Sequence, residues 1–201
     1  MPQSRAEKIK LVLFDVDGVL TDGTILLLPA LSGAKQSTHV ARKKKDGPGF
    51  GIISRDVIEA KGFHAHDGTA ISLARLGGLK TGVITKRISE TVALRARDLK
   101  LDYVRQGIQD KFTVFQEILT AEKLSPEQAC YVGDDIIDLP VMRRCGLAIA
   151  VANARPEVKR DAHFVTEHRG GEGAARDAIE FILNAQGSLE RVLEQYIAGA
   201  R

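Results

Sequence analysis

The sequence predicts an α/β protein built on a doubly wound parallel sheet. Two observations carry that prediction. From residue 67 onward, short apolar runs alternate regularly with segments of helical period, and glycine or proline punctuates the joins. Ahead of them stands Leu11-Val-Leu-Phe-Asp-Val-Asp-Gly-Val-Leu20, an apolar β-type run that ends in two aspartates separated by one residue. Side chains at i and i+2 of a strand point the same way, so Asp15 and Asp17 converge while Val16 packs on the opposite side. In sheets of this class ligands bind beyond the carboxyl ends of the strands, which makes those ends the place to look for chemistry.

Taken in order, residues 24–28 read as a second short strand stopped by Pro29. Residues 30–61 lose any period and hold the basic run Arg42-Lys-Lys-Lys45 and an apolar return at 50–53, so 24–63 reads as a β-hairpin excursion with a long tip. Helices are expected over 67–76, stopped by Gly77-Gly78, and over 89–99, 110–123 and 139–144. A helical turn is expected at 156–160, with Pro156 near its start. Strands are expected at 79–85, 102–105, 129–132, 147–151 and 164–166. The Gly170-Gly-Glu-Gly173 joint precedes helices at 174–184 and 189–197, so 170–201 forms a C-terminal tail and helices on a single domain of residues 1–201.

Composition narrows the function classes. With 44% apolar and 27% charged residues the chain has the material for a packed core. A net charge of only +3, no Trp and ten other aromatics argue against nucleic-acid binding. No apolar run is long enough to span a membrane, and Cys130 and Cys145 make neither a C-x-x-C pair nor a disulfide framework, so a cytoplasmic protein without a membrane partner is expected.

The strand ends hold a consistent set of residues. The first ends at Asp15 and Asp17, and the 79–85 strand ends at Thr85, followed by Lys86 and Arg87. Lys111 opens the helix after the next strand, and the 129–132 strand runs into Gly133-Asp134-Asp135 with Asp138 three residues on. An isolated Asp-x-Asp is usually an acidic turn, Thr85 alone a helix cap and Lys111 alone a surface lysine. Together at one sheet edge they supply carboxylates for a hard cation such as Mg²⁺ and donors for phosphate oxygens.

These residues resemble the four motifs of the haloacid dehalogenase-like phosphohydrolases: the Asp-x-Asp-Gly-Val-Leu-Thr-Asp opening, the strand-end Thr, the Asp-Lys pair and Gly-Asp-Asp-x-x-Asp. Within that superfamily, Phe63-His-Ala-His-Asp-Gly68, Gln106-Gly-Ile-Gln-Asp-Lys111, Tyr131-Val-Gly-Asp-Asp-Ile-Ile-Asp138, Val151-Ala-Asn-Ala-Arg-Pro156 and the tail from Gly170 to Gly187 are similar to the 3-deoxy-D-manno-octulosonate 8-phosphate phosphatases. The resemblance implies a Rossmann-like sheet without a large cap domain and a cytoplasmic enzyme of lipopolysaccharide precursor biosynthesis acting on a small phosphorylated sugar acid. It implies Asp15 as nucleophile, Asp17 as acid and base, and Thr85 and Lys111 as ligands of the transferring oxygens. Mg²⁺ would be held by Asp15, the Asp17 carbonyl and Asp134, with Asp138 or Asp135 in support. It further implies a homotetramer in which the hairpin and a neighbour's tail, here roughly 170–176, close each site.

Substrate contacts are expected from His66, Gly68, Lys86 and Arg87. Here the chain departs from the family pattern: His66 replaces an Arg, Lys86 a Gly, Glu172 a basic residue, and the 24–62 segment is about twenty residues longer than the family norm suggests. A phosphatase for a nine-carbon keto-deoxy acid phosphate fits the same scaffold. A phospho-aspartate receiver domain places its acceptor on a middle strand, unlike Asp15 on the first, and an interaction module with a decayed site leaves the intact acidic set unexplained.

Overall fold

The computed structural model describes residues 1–29 and 57–199. Strand β1 (Leu11–Phe14) is wholly buried and lies between β4 (Lys80–Ile84) and β6 (Ala129–Gly133). With β5 (Tyr103–Arg105), β7 (Leu147–Ala150) and β8 (Phe164–Val165) they form a six-stranded sheet in the order β5-β4-β1-β6-β7-β8, every neighbouring pair parallel. Such a sheet is covered on both faces, which is why β1, β6 and β7 read as continuous apolar runs.

Right-handed crossovers decide which helix covers which face. From β1 the chain steps outward through α2 (Ala65–Leu76) to β4 and through α3 (Glu90–Asp98) to β5. It then crosses to the far side of β1 through α4 (Lys111–Glu122) and steps the opposite way through α5 (Leu139–Met142) and α6 (Pro156–Asp161). The reversal puts α4 to α6 on one face and α2 on the other, where α7 (Ala174–Ala185) packs along it. Helix α7 presents Ala174, Ala175, Ala178, Ile179, Ile182 and Leu183 to the core at helical spacing, and α8 (Leu189–Ile197) adds Val192. The switch in direction falls between β1 and β6, so the carboxyl ends of those two strands form the crevice of the fold.

The hairpin is present as β2 (Leu26–Pro29) paired antiparallel with β3 (Val57–Ala60), apart from the main sheet. Pro29 is the last residue of β2, a position an edge strand tolerates, rather than the residue beyond it. Its tip, with the basic run at 42–45 and the apolar return at 50–53, lies outside the described residues. Helix α2 begins two residues earlier than expected because the His64 side chain caps it, accepting the His66 N–H at 3.3 Å. Gly78, at φ +81°, supplies the left-handed turn that releases the chain into β4. Helix α1 (Pro2–Ala6), opened by proline, forms in a stretch whose polarity conceals it; only Ala6 is buried.

Candidate active site

Asp15 follows β1 directly and keeps the sheet pairing through its own N–H to the Val132 carbonyl at 3.0 Å. Asp15 is 4% exposed, and its Oδ1 accepts the Val16 N–H at 2.7 Å. Lys111 reaches it from the first turn of α4. Asp110 caps that helix, accepting from the Phe112 and Thr113 N–H groups at 3.0 and 3.2 Å, and so fixes the direction of the next side chain. Lys111 Nζ lies 2.9 Å from Asp15 Oδ1 and 2.8 Å from Asp138 Oδ1. Burial works against the Lys111 charge, but the two carboxylates outweigh it and hold the ammonium above its usual range.

Asp138 is fully buried at the end of a short 3-10 turn, Ile136–Asp138. Its Oδ2 accepts the Asp134 and Asp135 N–H groups at 3.0 and 3.3 Å, while Oδ1 faces Lys111 and, at 3.0 Å, the Tyr131 hydroxyl. Both oxygens are therefore engaged by the protein, which casts Asp138 as the holder of Lys111 and of the Asp134 backbone. Gly133 lets this happen, since a Cβ there would stand 2.7 Å from Asp138. Gly18 does the same for Asp134: at φ +92° it takes a conformation side chains disfavour, and a Cβ would meet Asp134 Oδ2 at 2.3 Å.

Carboxylate oxygens of Asp15, Asp134 and Asp138 lie within 4.8 Å of one another. Burial first, then the negative charges of its neighbours, push the Asp134 carboxyl up to about 8 and Asp15 up to about 7. Asp134 Oδ1 is buried with no hydrogen-bond partner among the described residues. Clustered, poorly solvated carboxylates with an unsatisfied oxygen match a hard divalent cation, so the residues present fit the metal the motifs imply.

Asp17 does not join that cluster with its carboxylate. Its Oδ1 pairs with Lys61 at the foot of the hairpin, and its Oδ2 lies 3.5 Å from Arg87 Nε. Thr85, buried one residue beyond β4, is fixed by its N–H to Arg105 O at 2.9 Å and by the Ile108 N–H to its carbonyl at 3.1 Å. Lys86 follows, half-buried. His66 is exposed on the first turn of α2 with its ring against His64, and Gly68 is buried under Arg95, where a Cβ would meet the guanidinium at 2.6 Å. The contacts of these two are thus with His64 and with α3. Asp67 between them accepts the Arg176 N–H at 3.1 Å, tying α2 to the start of α7.

Three contributors escaped residue-by-residue reading. Lys61 and Glu59 sit in a segment without period, and no local pattern points them at Asp17. Asn153 holds the opening loop: its Nδ2 donates to the Gly18 carbonyl at 3.2 Å and its Oδ1 accepts the Gly170 N–H at 2.6 Å. Gly171 N–H adds a bond to the Val19 carbonyl at 3.0 Å, so the glycine joint expected to close a neighbour's site rests on the opening loop of its own chain.

Comparison with known proteins follows the same residues. The family model of the haloacid dehalogenase-like hydrolases matches residues 84–176. A 3-deoxy-D-manno-octulosonate 8-phosphate phosphatase of Yersinia pestis is 34% identical over 186 residues, which span 92% of this chain and 86% of that protein. The chain belongs to the haloacid dehalogenase-like hydrolases. It is a phosphoric monoester hydrolase of that family. Among solved structures, a probable YrbI family phosphatase from Pseudomonas syringae pv. phaseolica is 39% identical, with TM-score 0.81 and 98% of each chain covered. The 3-deoxy-D-manno-octulosonate 8-phosphate phosphatase of Moraxella catarrhalis, solved with magnesium, phosphate and the sugar acid, is 28% identical, with TM-score 0.80 and 97% of each chain covered.

Proposed function

We propose that this hydrolase removes the phosphate of 3-deoxy-D-manno-octulosonate 8-phosphate with Mg²⁺, through an aspartyl-phosphate on Asp15, in lipopolysaccharide precursor biosynthesis. The observation that carries the reading is the Asp15–Lys111–Asp138 arrangement, with Asp134 beside it, in a chain similar throughout to phosphatases of that sugar acid. Bound at Asp15, Asp134 and the Asp17 carbonyl, Mg²⁺ neutralises carboxylate charge and lets an anionic phosphate approach.

In the first step an Asp15 carboxylate oxygen bonds to phosphorus as the bond to the sugar oxygen breaks, and the Asp17 carboxyl proton passes to that leaving oxygen. In the second, Asp17 takes a proton from water as the water oxygen attacks phosphorus, and Asp15 departs as a carboxylate. Thr85 and Lys111 hold the transferring oxygens, Lys111 having its ammonium already 2.9 Å from the nucleophile. Arg87, Lys86, Gly68 and His66 are the candidate contacts to the sugar acid.

The hairpin supports assembly into a homotetramer. Ile25, Leu26, Leu27 and Leu28 are 47–54% exposed in succession, and Ile58 opposite them is 41% exposed, an apolar ribbon that a second copy would cover. No helix among the described residues is long and apolar enough to cross a membrane, and Cys130 and Cys145 are free and buried, which suits a reducing cytoplasm. His66 and Lys86 favour keeping a second reading, a nine-carbon keto-deoxy acid phosphate as substrate.

Phosphate release from both sugar acid phosphates and a panel of simple sugar phosphates, with Mg²⁺ and with Asp15→Asn as control, tests the proposal. Selective turnover of the eight-carbon substrate, lost in the variant, is expected. Preference for the nine-carbon acid replaces the substrate, and turnover that survives Asp15→Asn overturns the mechanism.

A further inference from the structure

The foot of the hairpin carries a ring of four alternating charges. The Lys61 side chain is 1% exposed, and its Nζ pairs with Asp17 Oδ1 and lies 3.0 Å from Glu59 Oε1. Glu59 Oε2 receives Arg87 Nη2 at 2.8 Å, and Arg87 Nε stands 3.5 Å from Asp17 Oδ2, closing the ring. An ammonium buried to this degree needs paired partners, and Lys61 has two carboxylates. Asp17 stands two residues past Asp15, in the turn that follows β1, so a carboxylate free to rotate would add a further negative charge beside Asp15, Asp134 and Asp138. Lys61 supplies a competing attraction from the hairpin.

We infer that Lys61 is a positioning residue: from the hairpin it holds the Asp17 carboxyl group away from the metal-binding carboxylates, where it meets the leaving-group oxygen. This rests on the reading of Asp17 as proton donor given above. Glu59 shares Lys61 and Arg87 with Asp17, so neither cation is committed to it alone. The hairpin thereby contributes to proton delivery as well as to the outer surface of the molecule.

A comparison of leaving groups separates this role from a structural one. The sugar alkoxide needs a proton to depart, whereas p-nitrophenolate leaves without one. The kcat/KM for 3-deoxy-D-manno-octulosonate 8-phosphate and for p-nitrophenyl phosphate, which reports the leaving-group step and not the hydrolysis of the aspartyl-phosphate common to both, is measured for the full chain with Mg²⁺, unaltered and as Asp17→Asn, Lys61→Gln, Lys61→Arg and the Asp17→Asn/Lys61→Gln double variant. Lys61→Gln is expected to lower the sugar-to-aryl kcat/KM ratio at least about tenfold, within the range a positioned acid contributes. Lys61→Arg, which keeps the charge, lowers it less. The double variant is expected to be no worse than Asp17→Asn alone, as for two residues acting through one step. Should Lys61→Gln fail to fold, Lys61→Arg decides, since its altered reach still lowers the ratio at least about twofold. An unchanged ratio in the folded variants, or additive losses in the double variant, overturns the inference. Equal losses of both esters in Asp17→Asn overturn the acid role itself, whereas a selective Asp17→Asn beside an unselective Lys61→Gln overturns only the part given to Lys61.

Discussion

Lys111 stands between Asp15 and Asp138 with its side chain 2% exposed, and without its charge the two buried carboxylates face each other unpaired. Lys111→Met is therefore expected to lower stability at pH 8 by about 3–5 kcal/mol, as read by urea denaturation, besides abolishing turnover. Asp134 and Asp15 give a second prediction. Burial and like charge push them up to about 8 and about 7, so the folded state binds their protons more tightly than the unfolded chain does. Unfolded, they titrate near 3.8, so without a divalent cation their contribution is full below that value and is lost as pH rises through about 8. The midpoint shift that Mg²⁺ produces over chelator is expected to be larger at pH 8 than at pH 5; an equal shift at both would place the cation away from these carboxylates. At this scale the places of Asp15, Asp134, Thr85 and Lys111 beside strand ends and a helix start were legible from the pattern, whereas the turn of the Asp17 carboxylate away from Asp15 toward Lys61 was not. Asp138 was legible as a position but not as a role, because a spacing does not reveal that both its oxygens are consumed within the protein.

The strand ends acquire their geometry from loops that pack on one another. Gly170 lies against the opening loop so closely that a Cβ would stand 1.7 Å from the Gly18 carbonyl oxygen. Gly170→Ala is expected to destabilise the fold by about 1–3 kcal/mol, measured by thermal or urea unfolding, and to lower turnover by displacing the loop that carries Asp17. Stability and turnover both unchanged would mean that this contact does not position the loop. The elements themselves were largely readable: apolar runs gave the strands, and Asp110 and the Gly77-Gly78 pair bounded helices where the structure bounds them. Helix α1 was not readable, because five residues with one buried side chain leave no period. The ties from Asn153 to Gly18 and Gly170 were equally hidden, since they join segments 135 and 17 residues apart.

Over the whole molecule, alternation of strand and helix with right-handed crossovers leaves few arrangements, which is why the doubly wound sheet could be read from pattern alone. Partners of the surface are less readable, because exposure is a property of the fold. The apolar ribbon of β2 yields the prediction at this scale: light scattering is expected to give the mass of four chains, and Leu27→Glu, at a residue 54% exposed, to give smaller species without loss of the fold. A native monomer would leave the ribbon without its proposed cover. The central claim, that Asp15 carries the phosphoryl group between two displacements, is tested most directly by mixing enzyme, Mg²⁺ and 3-deoxy-D-manno-octulosonate 8-phosphate, quenching in acid within one turnover, and sequencing the peptides by mass spectrometry. The account predicts one phosphoryl group on Asp15, absent in Asp15→Asn. A phosphoryl group on another residue, or none on the enzyme while the sugar is released at full rate, would contradict it.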